Sequence, residues 1–410
     1  MYLFKLAMRN AVRNVRRSLL TAATVVIGVA VFVISSSFMG GMIDQMLEET
    51  TLYIGHIRVA DSDWIERESV RPLYEYLPDA EVVVAHVQGT PGVEGAFPII
   101  SSGVAIAVGD GELGDVFGMA TGAPLTWLDH LDMANKLDSG RLPTSADELL
   151  MGARLADKSD AQLGDEVILF GQTQDGAMSP VRGTLVGIVK TGSPITDRTV
   201  YLSLETMQEM VDIGPGSIEV IAYLADRSDA ESVAEGIRGA DVLDGATVQA
   251  WTSRSPYNQV IPIMTAMDFV IGGALVFLTA LAIWNTMTMS VLERTSEIGV
   301  MRAMGMSRMS SVGMFVAEAA VIALIGGVVG VLVGLGPSLY MEATGITYGE
   351  DLIDSMGTDY AMSTTLYADF TWAIALKGLV LGIVMAVAGS FIPALRAAQV
   401  QPVEAMRHGR

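Results

Sequence analysis

The sequence contains no cysteine among its 410 residues and only four histidines. The lack of cysteine excludes disulfide bonds, cysteine nucleophiles, thiolate metal sites and lipid attachment to cysteine. The histidines have no HExxH or similar spacing and accompany no nucleophile motif, so we expect neither a zinc site nor a hydrolase triad. The residues concerned are His56, His86, His130 and His408. We therefore expect no catalytic residue, metal or cofactor on this chain.

A nucleotide-binding loop and concentrated positive charge are also lacking. None of the five lysines follows a glycine, which excludes a GxxxxGK[ST] loop and leaves the chain without that ATP-binding motif. Residues 44–265 hold 35 of the 46 acidic residues but only 13 of the 25 basic ones. Because phosphate binding needs concentrated positive charge, we expect no nucleic-acid partner. Most of these carboxylates are expected to form a solvated surface.

Four long apolar runs are present instead, over residues 18–43, 266–292, 312–339 and 370–395. Residues 269–292 carry no charge, and residues 312–339 carry only Glu318. At about 1.5 Å per helical residue, each run is long enough to cross a hydrocarbon layer of roughly 30 Å. The runs therefore predict four transmembrane helices. The alternative, four buried helices of a large soluble protein, is less favoured because such a fold rarely needs runs of this length.

The distribution of basic residues predicts the orientation. Residues 1–17 carry five basic residues and no acid in an amphipathic pattern, and residues 293–311 and the tail 396–410 are also basic. The loop 340–369 contains six acidic residues and neither lysine nor arginine. Since basic residues near span ends remain cytoplasmic, both termini and the segment 293–311 are predicted inside. The first run is longer than a signal-peptide core of roughly 7 to 15 residues, so we expect no cleavage there.

Residues 44–265 are then predicted to form an extracytoplasmic α+β domain, with a middle lobe near residues 110–192. Short β-like runs alternate with helical stretches, separated by glycine and proline. The predicted strands are 56–59, 81–87, 103–108, 166–170, 182–189, 199–202 and 219–224. The predicted helices are 64–76, 149–157, 204–211 and 229–238.

The segment Glu293 to Arg308 is charged and helix-prone, yet it lies between two apolar runs. Such a segment is expected to lie in water against a partner. Together with Leu6 to Ala30 and Phe391 to His408, the stretch Trp284 to Gly305 resembles permease subunits of the lipoprotein-releasing and macrolide-exporter class of ABC transporters. This class includes the cell-division permease FtsX. The resemblance covers all four runs in order and implies a MacB-like periplasmic core between the first and second helices.

Three shorter stretches resemble the lipoprotein-releasing branch in particular: Gly55 to Val59, Glu148 to Asp165 and Gly187 to Arg198. The resemblance implies a separate ABC ATPase in two copies, which would hold ATP and magnesium, and a second permease, identical or paralogous. It further implies a lipoprotein substrate, membrane lipid and a periplasmic carrier as partners.

The resemblance also implies that the segment 293–311 is a coupling helix that docks into a groove of the ATPase. The residues that occupy this place are Glu293, Arg294, Glu297, Ile298, Met301, Arg302 and Ala303. Ile298, Met301 and Arg302 share one helical face and are expected to insert apolar atoms into the partner. The alternative is a loop helix whose charges only enforce the membrane topology.

In the lipoprotein-releasing branch, the first two spans line a cavity for acyl chains. On this chain the corresponding apolar residues would be Val29, Phe32, Val33, Phe38, Ile263, Met267, Phe269 and Ile271, for which plain helix packing is an equal alternative. Glu318 is a carboxylate inside a predicted span, so it should have a basic partner, with Arg302, Arg308 or the N-terminal helix as candidates. Proton coupling and substrate contact are the less favoured alternatives.

The expected function is that of an inner-membrane permease that extracts lipoproteins, or a similar amphiphile, from the outer leaflet. Two alternatives remain. One is a MacB-like permease that transmits force for efflux, and the other is an FtsX-like signalling permease. The latter is disfavoured because cell-division permeases carry a much smaller insert.

Overall fold

The computed structural model describes residues 15–109, 116–193, 196–255, 257–347 and 365–399. The predicted basic helix over 1–17 lies almost entirely outside these residues, as do most of the acidic loop and of the tail. The chain forms two compact units. The sheet unit contains Met46–Val260, and the helical unit contains the residues up to Gln45, Ile261–Thr347 and those from Thr365 onward.

The first helix, α1, spans Val15–Ile54 and continues past the predicted end of its apolar run at residue 43. In the sheet unit, the described strands are β1 (Ile57–Asp61), β2 (Val93–Val108), β3 (Val116–Ala123), β4 (Leu137–Gly140), β5 (Glu148–Gly152), β6 (Glu166–Gln172), β7 (Met178–Val189), β8 (Thr199–Ser203), β9 (Glu219–Leu224) and β10 (Ala246–Ala250). The helices are α2 (Ser62–Glu66), α3 (Ala80–Gln88), α4 (Leu125–His130), α5 (Ala153–Ser159), α6 (Leu204–Val211) and α7 (Ala230–Ile237).

All ten strands of the sheet unit belong to one mixed sheet, in the order β10-β1-β9-β2-β3-β8-β5-β7-β4, with β6 paired to β2 and β7. The long strand β2 is shared by the two parts of this sheet. Its first half pairs with β9, and its second half pairs with β3 and β6. The predicted middle lobe is therefore not a separate unit, because its strands continue the sheet through β2. The prediction of an α+β domain is confirmed.

Most predicted strands and helices of this domain are present, but three predictions need correction. Residues 81–87 form helix α3 rather than a strand. Residues 149–157 are divided between strand β5 and helix α5, and of residues 64–76 only the first three belong to a helix, α2. In the last case Pro72 cannot donate a backbone hydrogen bond, so it limits how far a helix can extend.

A buried ionic network lies in the sheet unit at β1. The side chain of Arg58 is fully buried, and its Nη1 lies 2.6 Å from Glu68 Oε1. The guanidinium also donates to Gln249 Oε1 at 2.5 Å and stacks on Trp64, with 5.4 Å from Cζ to the ring centroid. Arg254 is buried nearby and donates to the carbonyl oxygen of Ile54 at 2.7 Å. Arg254 Nη2 also lies 3.4 Å from Glu219 Oε2, so each buried guanidinium has a carboxylate beside it, although Arg58 Nε has no hydrogen-bond partner among the described residues.

The helical unit contains the remaining long helices: α8 (Tyr257–Glu293), α10 (Arg308–Thr344) and α11 (Trp372–Gln399). The short helix α9 (Thr295–Ala303) lies between α8 and α10 along the chain, and strands β11 (Ile346–Thr347) and β12 (Thr365–Leu366) pair antiparallel. Within the described residues, four helices are long and apolar enough to cross a membrane: α1, α8, α10 and α11. The predicted architecture of four such helices with an α+β domain after the first is confirmed.

Glycines on α10 allow close packing against α1. A Cβ atom built on Gly330 would lie 2.8 Å from the carbonyl oxygen of Val26, and Gly326 and Gly334 approach α1 in the same way. Because these positions are four residues apart, they lie on one face of α10. Small residues at this spacing let two helical backbones approach closely.

Candidate functional site

The segment between α8 and α10 is the candidate functional site, and its local structure follows from a few residues. Helix α8 ends at Glu293, and Arg294 interrupts the helical path with φ −100° and ψ 10° before α9 begins. After α9, Gly305 has φ 102°, a conformation that favours glycine, and lets the chain turn. Ser307 then caps α10 by accepting a hydrogen bond from the Ser310 amide at 3.1 Å.

The inner side of α9 packs against the helical unit. Ile298 is only 3% exposed and belongs to the apolar core of this unit, with the half-buried Met301 packed against it. The sequence predicts that Ile298 inserts into a partner, whereas here its side chain packs against the rest of the helical unit. Its apolar side chain is already removed from solvent within this chain. Arg302, also half-buried, lies on the same side of the helix as Ile298.

The outer side of α9 carries a different set of residues. Glu297 is exposed, Val300 is 44% exposed and Met304, which follows the last turn, is 76% exposed. Their spacing of i, i+3 and i+7 places them on one face. We call these three residues the α9 outer face. Glu293 and Ala303 are exposed beside it. Val300 and Met304 are therefore the apolar side chains of this segment that a second protein could contact.

Glu318 pairs with Arg294, which was not among the predicted candidates; the N-terminal helix named among them lies outside the described residues. The Nη1 atom of Arg294 donates to Glu318 Oε2 at 3.0 Å and to Oε1 at 3.3 Å. Only 11% of the Arg294 side chain and 5% of the Glu318 side chain are exposed. The expectation that an acid inside this apolar helix is paired is confirmed, but the pair joins the start of α9 to α10.

The structure does not bring the eight predicted cavity residues together. Val29, Phe32 and Val33 are buried in the core of the helical unit, where the Phe32 ring lies against glycines of α8 and α11. By contrast, Phe269 is 81% exposed, and the other residues of the α8 group, Ile263, Met267 and Ile271, are also exposed. For the three buried residues on α1, the structure therefore fits the helix-packing alternative rather than a cavity lining. The residues on α8 remain available to lipid or to a second protein, and Phe38 is half-buried.

One polar contact inside the helical unit escaped the sequence analysis. Ser36 of α1 donates a hydrogen bond to Asp268 Oδ1 of α8 at 3.2 Å. Asp268 directly precedes the uncharged residues that begin at Phe269, and it lies inside the predicted span 266–292. A carboxylate within a predicted span is a signal that could have identified it.

In the described part of the sheet unit, one group of carboxylates has oxygens within 4.8 Å of one another: Asp61, Asp63 and Glu75. Asp61 already accepts hydrogen bonds from the amides of Asp63 and Trp64, at 2.8 and 3.2 Å, and so caps α2. Glu75 lies 3.7 Å from Arg67 Nη1. These contacts account for the cluster as a helix cap beside an ion pair.

Comparison with protein-family models gives two matches. A MacB-like periplasmic core domain matches residues 18–240, and an FtsX-like permease C-terminal domain matches residues 269–402. The second match contains α9 and the Arg294–Glu318 pair.

Comparison with curated proteins gives relatives along the whole chain. The macrolide export ATP-binding/permease protein MacB of Nitrobacter winogradskyi is 26% identical over 97% of this chain, which spans 58% of that protein. The uncharacterized ABC transporter permease YknZ of Bacillus subtilis is 23% identical over 98% of both chains. The lipoprotein-releasing system transmembrane protein LolC of Neisseria meningitidis serogroup B is 23% identical, covering 95% of this chain and 94% of that one.

Proposed function

Because this chain belongs to the ABC transporter permeases of the MacB, LolC and FtsX type, we propose that it is a permease subunit driven by a separate ATPase. Two ATPase copies would bind ATP and magnesium in the cytoplasm. Two permeases, identical or paralogous, would extract lipoproteins or a similar amphiphile from the outer leaflet of the inner membrane and pass them to a periplasmic carrier. The termini would be cytoplasmic and the sheet unit periplasmic.

The proposed ATPase contact is supported by the difference between the two sides of α9, one buried and one exposed. Its inner side is anchored by Ile298 and by the Arg294–Glu318 pair. The α9 outer face, by contrast, presents Val300 and Met304 to its surroundings. A short helix that is fixed on one side and exposes apolar atoms on the other can transmit a push from a bound partner. The ATPase would therefore dock on the α9 outer face, rather than on the face containing Ile298.

The choice of lipoprotein as substrate is supported by the similarity to LolC over nearly the full length of both chains. The alternative is a MacB-like permease that transmits force for efflux, and it is supported by the identity of 26% to the matched part of MacB. A signalling role of the FtsX type is less favoured, since the sheet unit alone spans Met46–Val260.

The ATPase contact is tested by substitutions on the α9 outer face. The double variant Glu297→Arg and Val300→Arg should lose copurification with the ATPase subunit and lose permease-dependent stimulation of ATP hydrolysis. Tyr340→Arg is the matched control, because Tyr340 is 69% exposed at the far end of α10. Normal assembly and stimulation of the double variant would contradict the docking role.

The substrate is tested with purified complex in proteoliposomes. ATP should release a lipidated lipoprotein into the soluble fraction in the presence of a carrier, while the same protein without its lipid should show no ATP dependence. ATP-driven accumulation of a macrolide, with no lipoprotein release, would favour the efflux alternative.

A further inference from the structure

The backbone of Arg294 lies between two helices and forms a hydrogen bond with each of them. Its amide donates to the carbonyl oxygen of Val291 in α8 at 3.2 Å, and its carbonyl oxygen accepts from the amide of Ile298 in α9 at 3.0 Å. Its guanidinium is bound to Glu318 in α10. This one residue therefore connects α8, α9 and α10.

Stability alone does not explain this pair. Burying two charges carries a large desolvation cost, and a well-packed apolar pair in the same place is often as stable or more stable. The surrounding contacts of Ile298 and Met301 already anchor α9 through apolar burial. Apolar burial is non-directional, so it leaves α9 able to shift along its contact surface. Two hydrogen bonds from one nitrogen to a carboxylate instead hold Arg294 at one point of α10.

We propose that Arg294 and Glu318 are a positioning pair that makes α9 and α10 move together. A displacement of α9 by the ATPase then reaches α10 as well as α8. Without the pair, α9 shifts against α10 and part of each displacement is lost. This inference rests on the proposed function, and it assigns the pair a role in efficiency of transport per ATP hydrolysed rather than in binding ATPase or substrate.

The main test replaces both charges with apolar side chains, in the double variant Arg294→Met and Glu318→Leu. This variant removes both charges of the pair at once, so it should fold and assemble with the ATPase. We expect ATP hydrolysis close to that of the unmodified protein, but release per ATP hydrolysed reduced by about tenfold. Arg294→Lys keeps the ion pair and should keep release per ATP near the original value.

A second measurement needs neither ATPase nor substrate. The chain has no cysteine, so cysteines introduced at Ser296 in α9 and Leu324 in α10 can carry spin labels without background. Both positions are exposed. The distance distribution between the labels should be narrow in the unmodified permease and in Arg294→Lys, and broader in the apolar double variant.

The two readouts must change together. A broad distance distribution with unchanged release per ATP would overturn the relay role, and reduced release with an unchanged distribution would overturn the positioning role. If each single apolar substitution lowers assembly but the double variant behaves as the unmodified protein in both readouts, the pair is only structural and the proposal is wrong. If the unmodified complex shows no ATP-dependent release, the proposed function fails instead, and the distance measurement then decides whether the pair positions α9.

Discussion

At the scale of single residues, neighbouring positions of the same helix have opposite environments. Ile298 and Val300 are both β-branched and apolar, yet the first is 3% exposed and the second 44% exposed. The sequence correctly marks α9 as a helix between two apolar runs, but its charged and apolar residues do not form a clean stripe. The side that packs inward is set by residues on other helices, so the sequence alone does not show that Ile298 faces the helical unit.

Glu148 in the sheet unit leads to a prediction about pH. The guanidinium of Arg141 donates to Glu148 Oε2 at 2.8 Å and, with the amide of Thr144, lowers the pKa of this carboxyl to about 2. Because the pKa is depressed in the folded state, the ionised carboxylate adds stability above its unfolded pKa of about 4.5, and this stability is lost as the pH falls towards 2. Glu148→Gln should therefore lower the melting temperature more near pH 7 than near about pH 3.

The control is Glu166→Gln. Glu166 lies 3.6 Å from Arg182, but both side chains are more than half exposed, so this pair should contribute little at either pH. The melting temperature can be followed by tryptophan fluorescence of the full chain in detergent. An effect of Glu148→Gln that is equal at both pH values would show that its charge is not the cause.

At the scale of secondary-structure elements, long runs are easier to predict than short ones. The consecutive valines of residues 82–84 favour a strand by propensity, and residues 81–87 were predicted as one. In α3, however, Ala80, Val83 and Val87 are buried while Val82 is exposed, which is a helical spacing. Gly89 follows as the C-cap. The periodicity was in the sequence, but packing of this face against the sheet outweighed the β propensity of valine.

The close contact between α1 and α10 gives a prediction at this scale. Gly330→Leu should destabilise the helical unit by about 1–3 kcal/mol, because its side chain would collide with Val26 and Val29. The measurement is the melting temperature of the detergent-solubilised protein. Gly336→Leu is the matched control on the same helix, since a Cβ atom built there meets nothing within 4 Å. Equal stability of the two variants would contradict the close packing of these helices.

At the scale of the whole molecule, the proposed function requires α9 and the sheet unit to lie on opposite sides of the membrane. This orientation can be tested because the absence of cysteine leaves no background labelling. In spheroplasts, a membrane-impermeant maleimide should label Phe117→Cys in the sheet unit, where Phe117 is 68% exposed. It should label Met304→Cys beside α9 only after the membrane is permeabilised. Labelling of Met304→Cys from outside would overturn the orientation and, with it, the contact with a cytoplasmic ATPase.

The sequence by itself determined the number of membrane-crossing helices, their order and the position of the inserted domain. Hydropathy and charge summed over more than twenty residues do not depend on which side chains touch, so these features could be read without coordinates. Only the tertiary structure decided that Arg294 pairs with Glu318, that Ile298 faces inward and that Val29, Phe32 and Val33 are core residues. Each of these depends on contacts between residues distant in the chain, which no local pattern specifies.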